Sequence, residues 1–240
     1  MNDMLIYNTD CLQYMHTMPD KSVDLIVTDP PYEVATQAGS GSLSSSVDRV
    51  GHNLIQAGIS DGYDIRKFGK EFIRIMKNIN IYVWCNKVQI PDYLDFYVNE
   101  NKCKFDILCW HKYNSIPTYH GKYLSDTEYC LFFHRGVGAN PRNKTDAQTY
   151  IVSKMNTSDS KKYGHPTVKP LEFTQKLIRN SSSKGDVVFD PFMGSGTTGV
   201  AATSEGRKFI GCEINEGFYQ TAKERITGKS EARLEKYDLW

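Results

Sequence analysis

With 240 residues the chain can bury a full hydrophobic core as one α/β domain, residues 1–240. Its formal net charge of +1 excludes inferring a polyanionic partner from bulk charge, so any nucleic-acid argument must be local. Six scattered cysteines (Cys11, Cys85, Cys103, Cys109, Cys130 and Cys212) with no C-x-x-C argue against a disulfide framework or a zinc site.

Leu5-Ile6-Tyr7 reads as a strand ending at Asn8-Thr9-Asp10, and Cys11 to Met18 as a short helix behind it. The chain opens straight into that strand without a signal-peptide layout, and no apolar run is long enough to span a bilayer. A cytoplasmic protein without a membrane anchor is expected. Val23 to Val27 is a second short strand, buried by its composition, and Thr28-Asp29-Pro30-Pro31-Tyr32 follows it. Proline has no N–H and holds the residue before it extended, so Asp29 and the Asp29 and Pro30 carbonyls form a rigid set of acceptors beside the Tyr32 ring. Such a set suits an exocyclic amino group on a flat base. At the carboxyl end of a strand in an open α/β sheet, it also stands where ligands bind.

Residues 33–63 carry Gly39-Ser40-Gly41-Ser42 and Ser44-Ser45-Ser46 with little periodicity, the composition of a mobile substrate loop. Phe68, Phe72, Ile75 and Met76 fall at helical spacing. Ile79 to Cys85 is the next strand, followed by a Pro91-initiated helix (Asp92 to Asn99) and two more strands, Phe105 to Trp110 and Tyr129 to His134. From Arg135 to Lys169 apolar periodicity is absent and cations predominate: Arg135, Arg142, Lys144, Lys154, Lys161 and Lys162 are the candidates for phosphate contact.

A helix from Leu171 to Asn180 leads into the strand Asp186 to Asp190 and then Pro191-Phe192-Met193-Gly194-Ser195-Gly196-Thr197-Thr198. Gly194 and Gly196 permit a tight turn, and Ser195 and Thr197 place hydroxyls at the start of a helix (Thr197 to Glu205) that attracts anionic groups. The next strand, Arg207 to Glu213, ends in an acid placed to accept ribose hydroxyls, and a helix follows from Asn215 to Ile226. Strand, glycine turn, helix, strand and acid in this order indicate an adenosine-containing cofactor. The spacing is neither the dinucleotide fingerprint nor a phosphate loop, so S-adenosylmethionine, which has no phosphate, fits. In His165-Pro166-Thr167-Val168-Lys169-Pro170, Thr167 and Lys169 are candidates for its amino-acid end.

Together D-P-P-Y (Asp29 to Tyr32), H-P-T-x-K-P (His165 to Pro170), D-P-F-x-G-S-G-T-T (Asp190 to Thr198) and the acid-ended strand (Glu213) resemble the amino-group DNA methyltransferases of the β arrangement, in which the catalytic tetrapeptide precedes the cofactor motif. The resemblance implies a Rossmann-like α/β fold with a seven-stranded, mostly parallel sheet and one antiparallel strand. It implies S-adenosylmethionine as donor, double-stranded DNA as substrate, no required metal, and a short target-recognition insertion at 135–164. Asp29, Pro30, Pro31 and Tyr32 would be catalytic. Asp10, Asp29, Thr167, Lys169, Asp190, Phe192, Gly194, Ser195, Gly196, Thr197 and Glu213 would bind cofactor, with Asp10 at the adenine or serving as a helix cap. Asp at the first tetrapeptide position favours adenine N6 over cytosine N4. A catalytically silent nucleic-acid-binding partner is the alternative of another class, which the intact Asp29, Gly194, Gly196 and Glu213 oppose. A homodimer and a cognate restriction enzyme would both be in keeping with the family.

Overall fold

The computed structural model describes residues 4–31, 63–115 and 123–228; Tyr32 and the expected loop, apart from Tyr63, lie outside them. The chain runs β1 (Met4–Asn8), α1 (Cys11–Thr17), β2 (Leu25–Thr28), α2 (Ile65–Ile75), β3 (Ile79–Cys85) and α3 (Ile90–Leu94), the last continuing as a π-helical turn, Asp95–Glu100. It goes on through β4 (Lys104–Lys112), β5 (Thr127–Arg135), α4 (Lys144–Ala147), β6 (Tyr150–Ser153), α5 (Thr157–Tyr163) and α6 (Leu171–Ser181). It closes with β7 (Val187–Asp190), α7 (Thr197–Ser204), β8 (Lys208–Glu213) and α8 (Glu216–Thr227). No helix among the described residues is long and apolar enough to cross a membrane.

One sheet orders the strands β1-β8-β7-β2-β3-β5-β4-β6. β5 runs antiparallel to both neighbours, and the other described pairings are parallel, as expected. Among the described residues the sheet has eight strands rather than seven. The addition is β6, four residues pairing with Cys109 to Lys112 of β4. Its exposed Tyr150 and Val152 give it no apolar face that the sequence would reveal. Within the 135–164 stretch, Tyr150–Ser153 thus joins the sheet at the edge beside β4.

Two apolar layers cover the sheet. Ile81 and Val83 of β3 join Leu131 and Phe133 of β5 under α1, α2 and α3. Tyr82 and Trp84 join Cys130 and Phe132 against Phe173 and Leu177 of α6 on the other face. Burial on both sides explains why β3 reads as an unbroken run, INIYVWC, without alternation. Its one polar member, Asn80, donates to the Asp24 and Ser181 carbonyls at 2.9 and 2.8 Å, which offsets its desolvation.

Candidate active site

The carboxyl ends of β1, β8, β7, β2 and β3 converge on a cleft of about 240 Å³. Asp10, Asp29, Pro30, Pro31, Thr167, Lys169, Asp190, Phe192, Gly194, Ser195, Thr197 and Glu213 all line it, so the tetrapeptide and the glycine turn share one cavity. Gly196 does not line it. At φ +80° it makes the turn, and a Cβ there would stand 3.0 Å from that of Ala222, so it serves the approach of α7 to α8.

Adjacent β2 and β7 are tied at their ends by Thr28, whose hydroxyl donates to Asp190 Oδ1 at 2.9 Å. Asp190 also accepts from the Phe192 N–H at 3.1 Å, and burial pushes its carboxyl up to about 7 despite these bonds. One residue beyond Thr28, Asp29 Oδ2 accepts from Lys169 Nζ at 2.5 Å. Asp29 Oδ1 is buried and has no hydrogen-bond partner among the described residues. Burial raises the Asp29 carboxyl above its ordinary range, and the Lys169 ammonium opposes the rise. Lys169 was expected at a cofactor carboxylate. Its ammonium instead lies between two carboxylates of this chain, Asp29 and, at 3.2 Å, Glu128.

On the other wall the Glu213 carboxylate is held rigidly, Oε2 by the Gly194 N–H at 2.9 Å and Oε1 by the Asn215 N–H at 2.8 Å. Burial raises its pKa. Gly194 has φ +49°, and a Cβ there would sit 2.8 Å from His165 Nε2. The His165 ring packs against Phe218 with centroids 4.5 Å apart, and its Nδ1 accepts from the Thr167 N–H at 3.3 Å. Burial, with Lys169 and Arg225 nearby, lowers its pKa to about 4, so the ring is neutral at pH 7. Asp10 caps α1, its Oδ1 accepting from the Gln13 N–H at 2.9 Å, and the residue lines the cleft. Phe192 likewise faces the cleft while packing on Tyr63 and Phe68.

Arg225, outside the cleft, is a support of the glycine turn that sequence reasoning missed. Its guanidinium donates to the Ser195 carbonyl and to the hydroxyls of Ser195 and Thr197, and lies 4.1 Å over the Tyr163 ring. It thus clamps the glycine turn to α5. An arginine near the end of a charged helix looks like any solvated face, and nothing local marks it out.

The six candidate cations do not form one patch. Arg135 ends β5 opposite Ile79, at the amino edge of the parallel strands, and donates to the Asn101 carbonyl. Arg142 lies beside Asn80, Asn180 and Asp186 at that same edge, and Lys144 beside Arg142 and Arg179. β6 then carries the chain back across the sheet, so that Lys154, Lys161 and Lys162 come out on the side of the cleft.

Residues 23–224 match the family model described as DNA methylase, of the N6/N4 methyltransferases. The chain is 27% identical over 257 residues to type II methyltransferase M2.DpnII of Streptococcus pneumoniae, covering 96% of this chain and 92% of the relative. It is 28% identical over 257 residues to type II methyltransferase M.HinfI of Haemophilus influenzae, covering 94% and 69%. Among solved structures, the M1.HpyAVI–SAM complex superposes with a TM-score of 0.65 at 27% identity, covering 92% of this chain and 99% of that one. The cytosine-N4-specific PvuII DNA methyltransferase superposes with a TM-score of 0.68 at 17% identity, covering 94% and 92%, a likeness of fold.

Proposed function

The chain belongs to the N6/N4 DNA methylase family and is a DNA methyltransferase that uses S-adenosylmethionine, and on that premise we propose that it methylates N6 of an adenine flipped out of duplex DNA. The observation that carries this reading is Asp29 Oδ1, a buried acceptor without a donor among the described residues, next to Pro30-Pro31 and in the same cleft as Glu213 and Gly194. The first residue of the tetrapeptide, Asp, favours adenine over cytosine.

The residues present fit the cofactor. Gly194 lines the cleft at φ +49°, where an added Cβ would press on the His165 ring, and Glu213 is held by backbone N–H groups as an acidic acceptor for ribose hydroxyls. Asp10 and Phe192, which line the cleft, would hold its adenosine portion. Ser195, Thr197 and Thr167 line the end suited to its amino-acid portion, with Gly196 shaping the turn beneath. Bound S-adenosylmethionine supplies a methyl group on a positively charged sulfur, which departs as a neutral thioether.

The lone pair of an exocyclic amine is delocalised into the ring and is poorly nucleophilic. Asp29 Oδ1 and the Pro30 carbonyl accept its two hydrogens, localise the pair and aim it, so catalysis is mostly positioning and electrostatics. The new N–C bond forms first, and nitrogen loses its proton afterwards, when the methylated amine carries positive charge. Asp29 does not have to deprotonate a neutral amine. Extrusion of the base costs a few kcal/mol, and the Tyr32 ring offsets about 1–3 kcal/mol by stacking.

The test is transfer of tritium from labelled S-adenosylmethionine to unmodified duplex DNA, followed by digestion to nucleosides. Label in N6-methyladenine supports the reading. Label confined to cytosine moves the assignment to N4 of cytosine, whose amine the same acceptors suit, and no label in DNA overturns it.

A further inference from the structure

Lys169 is the third member of a four-residue chain of charges. Lys112 Nζ of β4 lies 2.6 Å from Glu128 Oε1 of β5, Lys169 Nζ lies 3.2 Å from Glu128 Oε2, and the same Nζ lies 2.5 Å from Asp29 Oδ2. Both ammoniums rest on indole faces, Lys112 on Trp110 and Lys169 on Trp84, each 5.1 Å from the centroid. Glu128 pairs with Trp110 across the β4–β5 ladder at the cleft end of the sheet. Two lysines thus balance two carboxylates inside a cage of tryptophans. The Lys169 side chain is 8% exposed and those of Asp29 and Glu128 21% and 26%, and a partly buried charge pair is costly unless satisfied along its length.

We propose that Glu128, itself held by Lys112, is a positioning residue for methyl transfer: it shares Lys169 with Asp29 and so sets how much of that lysine's charge the catalytic carboxylate receives. This rests on the role given to Asp29 above. If Lys169 served Asp29 alone, the pair would be fully neutralised and Asp29 a weaker acceptor for the substrate amine. If Glu128 lacked Lys112, it would draw Lys169 towards itself and leave Asp29 a buried charge that protonates readily. The balance lies between these extremes.

Several other groups face Asp29. Asp190 comes from β7, Cys85 from β3 and Cys130 from β5. Burial holds both thiols protonated, and Asp190, whose carboxyl is pushed up to about 7, titrates within the window but does so in every variant considered, so its effect is common to all four profiles. The adjustable groups are Lys169, Glu128 and Lys112.

The experiment is the pH dependence of kcat/KM for duplex DNA at saturating S-adenosylmethionine, in the full chain, for wild type, Glu128→Gln, Lys112→Met and the double variant. Glu128→Gln gives Lys169 wholly to Asp29 and moves the acidic limb to lower pH. Lys112→Met moves it to higher pH, each by about half a unit or more. In the double variant the limb stays where Glu128→Gln alone puts it, because Lys112 acts on Asp29 only through Glu128. Lost packing alone would lower rates without moving the limbs in opposite directions. Shifts of one sign, no shifts, or a double variant whose limb lies at or above that of wild type overturn the proposal, and the double variant alone decides if a single variant fails to fold. A wild type that methylates no DNA would instead refute the role of Asp29 itself.

Discussion

Lys169 Nζ meets Asp29 Oδ2 at 2.5 Å across 140 residues of sequence, joining the H-P-T-x-K-P element to the tetrapeptide. The contact fixes one carboxylate oxygen and leaves the other, Oδ1, buried without a partner among the described residues. A carboxylate thus divided can be oriented by the protein on one side and accept from a substrate on the other.

Asp29→Ala is expected to reduce methyl transfer by about a hundredfold or more, since an acceptor aimed at the reacting nitrogen is lost. S-adenosylmethionine affinity, measured by calorimetry, should change little, because Glu213 and the glycine turn are held by their own backbone bonds. An equal loss of cofactor binding would show that the two halves of the cleft are not separable.

Gly194→Ala should weaken cofactor binding about tenfold or more, because the added methyl meets His165 Nε2 and the residue has φ +49°. Gly185→Ala separates clash from backbone strain, since Gly185 has φ +85° and nothing within 4 Å of an added Cβ. That variant should lose about 1 kcal/mol of stability with unaltered cofactor affinity. If both variants bound cofactor as wild type does, the turn would not form the cradle.

Much of the fold was legible because sheet burial writes itself into sequence. Ile79 to Cys85 was read to the residue, and the tetrapeptide, glycine turn and acid-ended strand were each recognisable from spacing. What escaped were features set by register. Glu128 and Lys112 are ordinary charges in strand-like runs until the β4–β5 ladder brings them to the cleft. β6 is too short and too exposed to show a period, yet it decides which cations share a side with the site. Asp10 was readable as a cap because an Asp directly before a helical run is a local signal, whereas its place on the cleft wall comes from the meeting of β1 and β8.

Because β6 divides the basic stretch, its two halves should behave differently. Lys161→Ala with Lys162→Ala is expected to weaken duplex binding and to lower the slope of log affinity against log salt by about 1–2. Arg135→Ala with Arg142→Ala, at the opposite edge of the sheet, should leave that slope unchanged. Fluorescence anisotropy over a salt series measures both. Equal effects from the two pairs would mean that DNA reaches around the sheet.

His165 supplies a signed pH dependence. Its folded-state pKa, about 4, lies below the ordinary 6.5, so the unfolded chain takes up the proton first as pH falls. The contribution of the neutral ring is complete above pH 6.5, erodes between 6.5 and 4, and levels off below about 4. On the order of 3 kcal/mol is at stake for a ring this buried. His165→Gln removes the titration while keeping a polar side chain, and Asp190, which titrates in the opposite sense, is present in both proteins and cancels. Urea unfolding from pH 7.5 down to 4 should therefore show wild type losing its advantage over the variant across that window. Parallel stability curves would mean that His165 is not held neutral against Gly194 and Phe218.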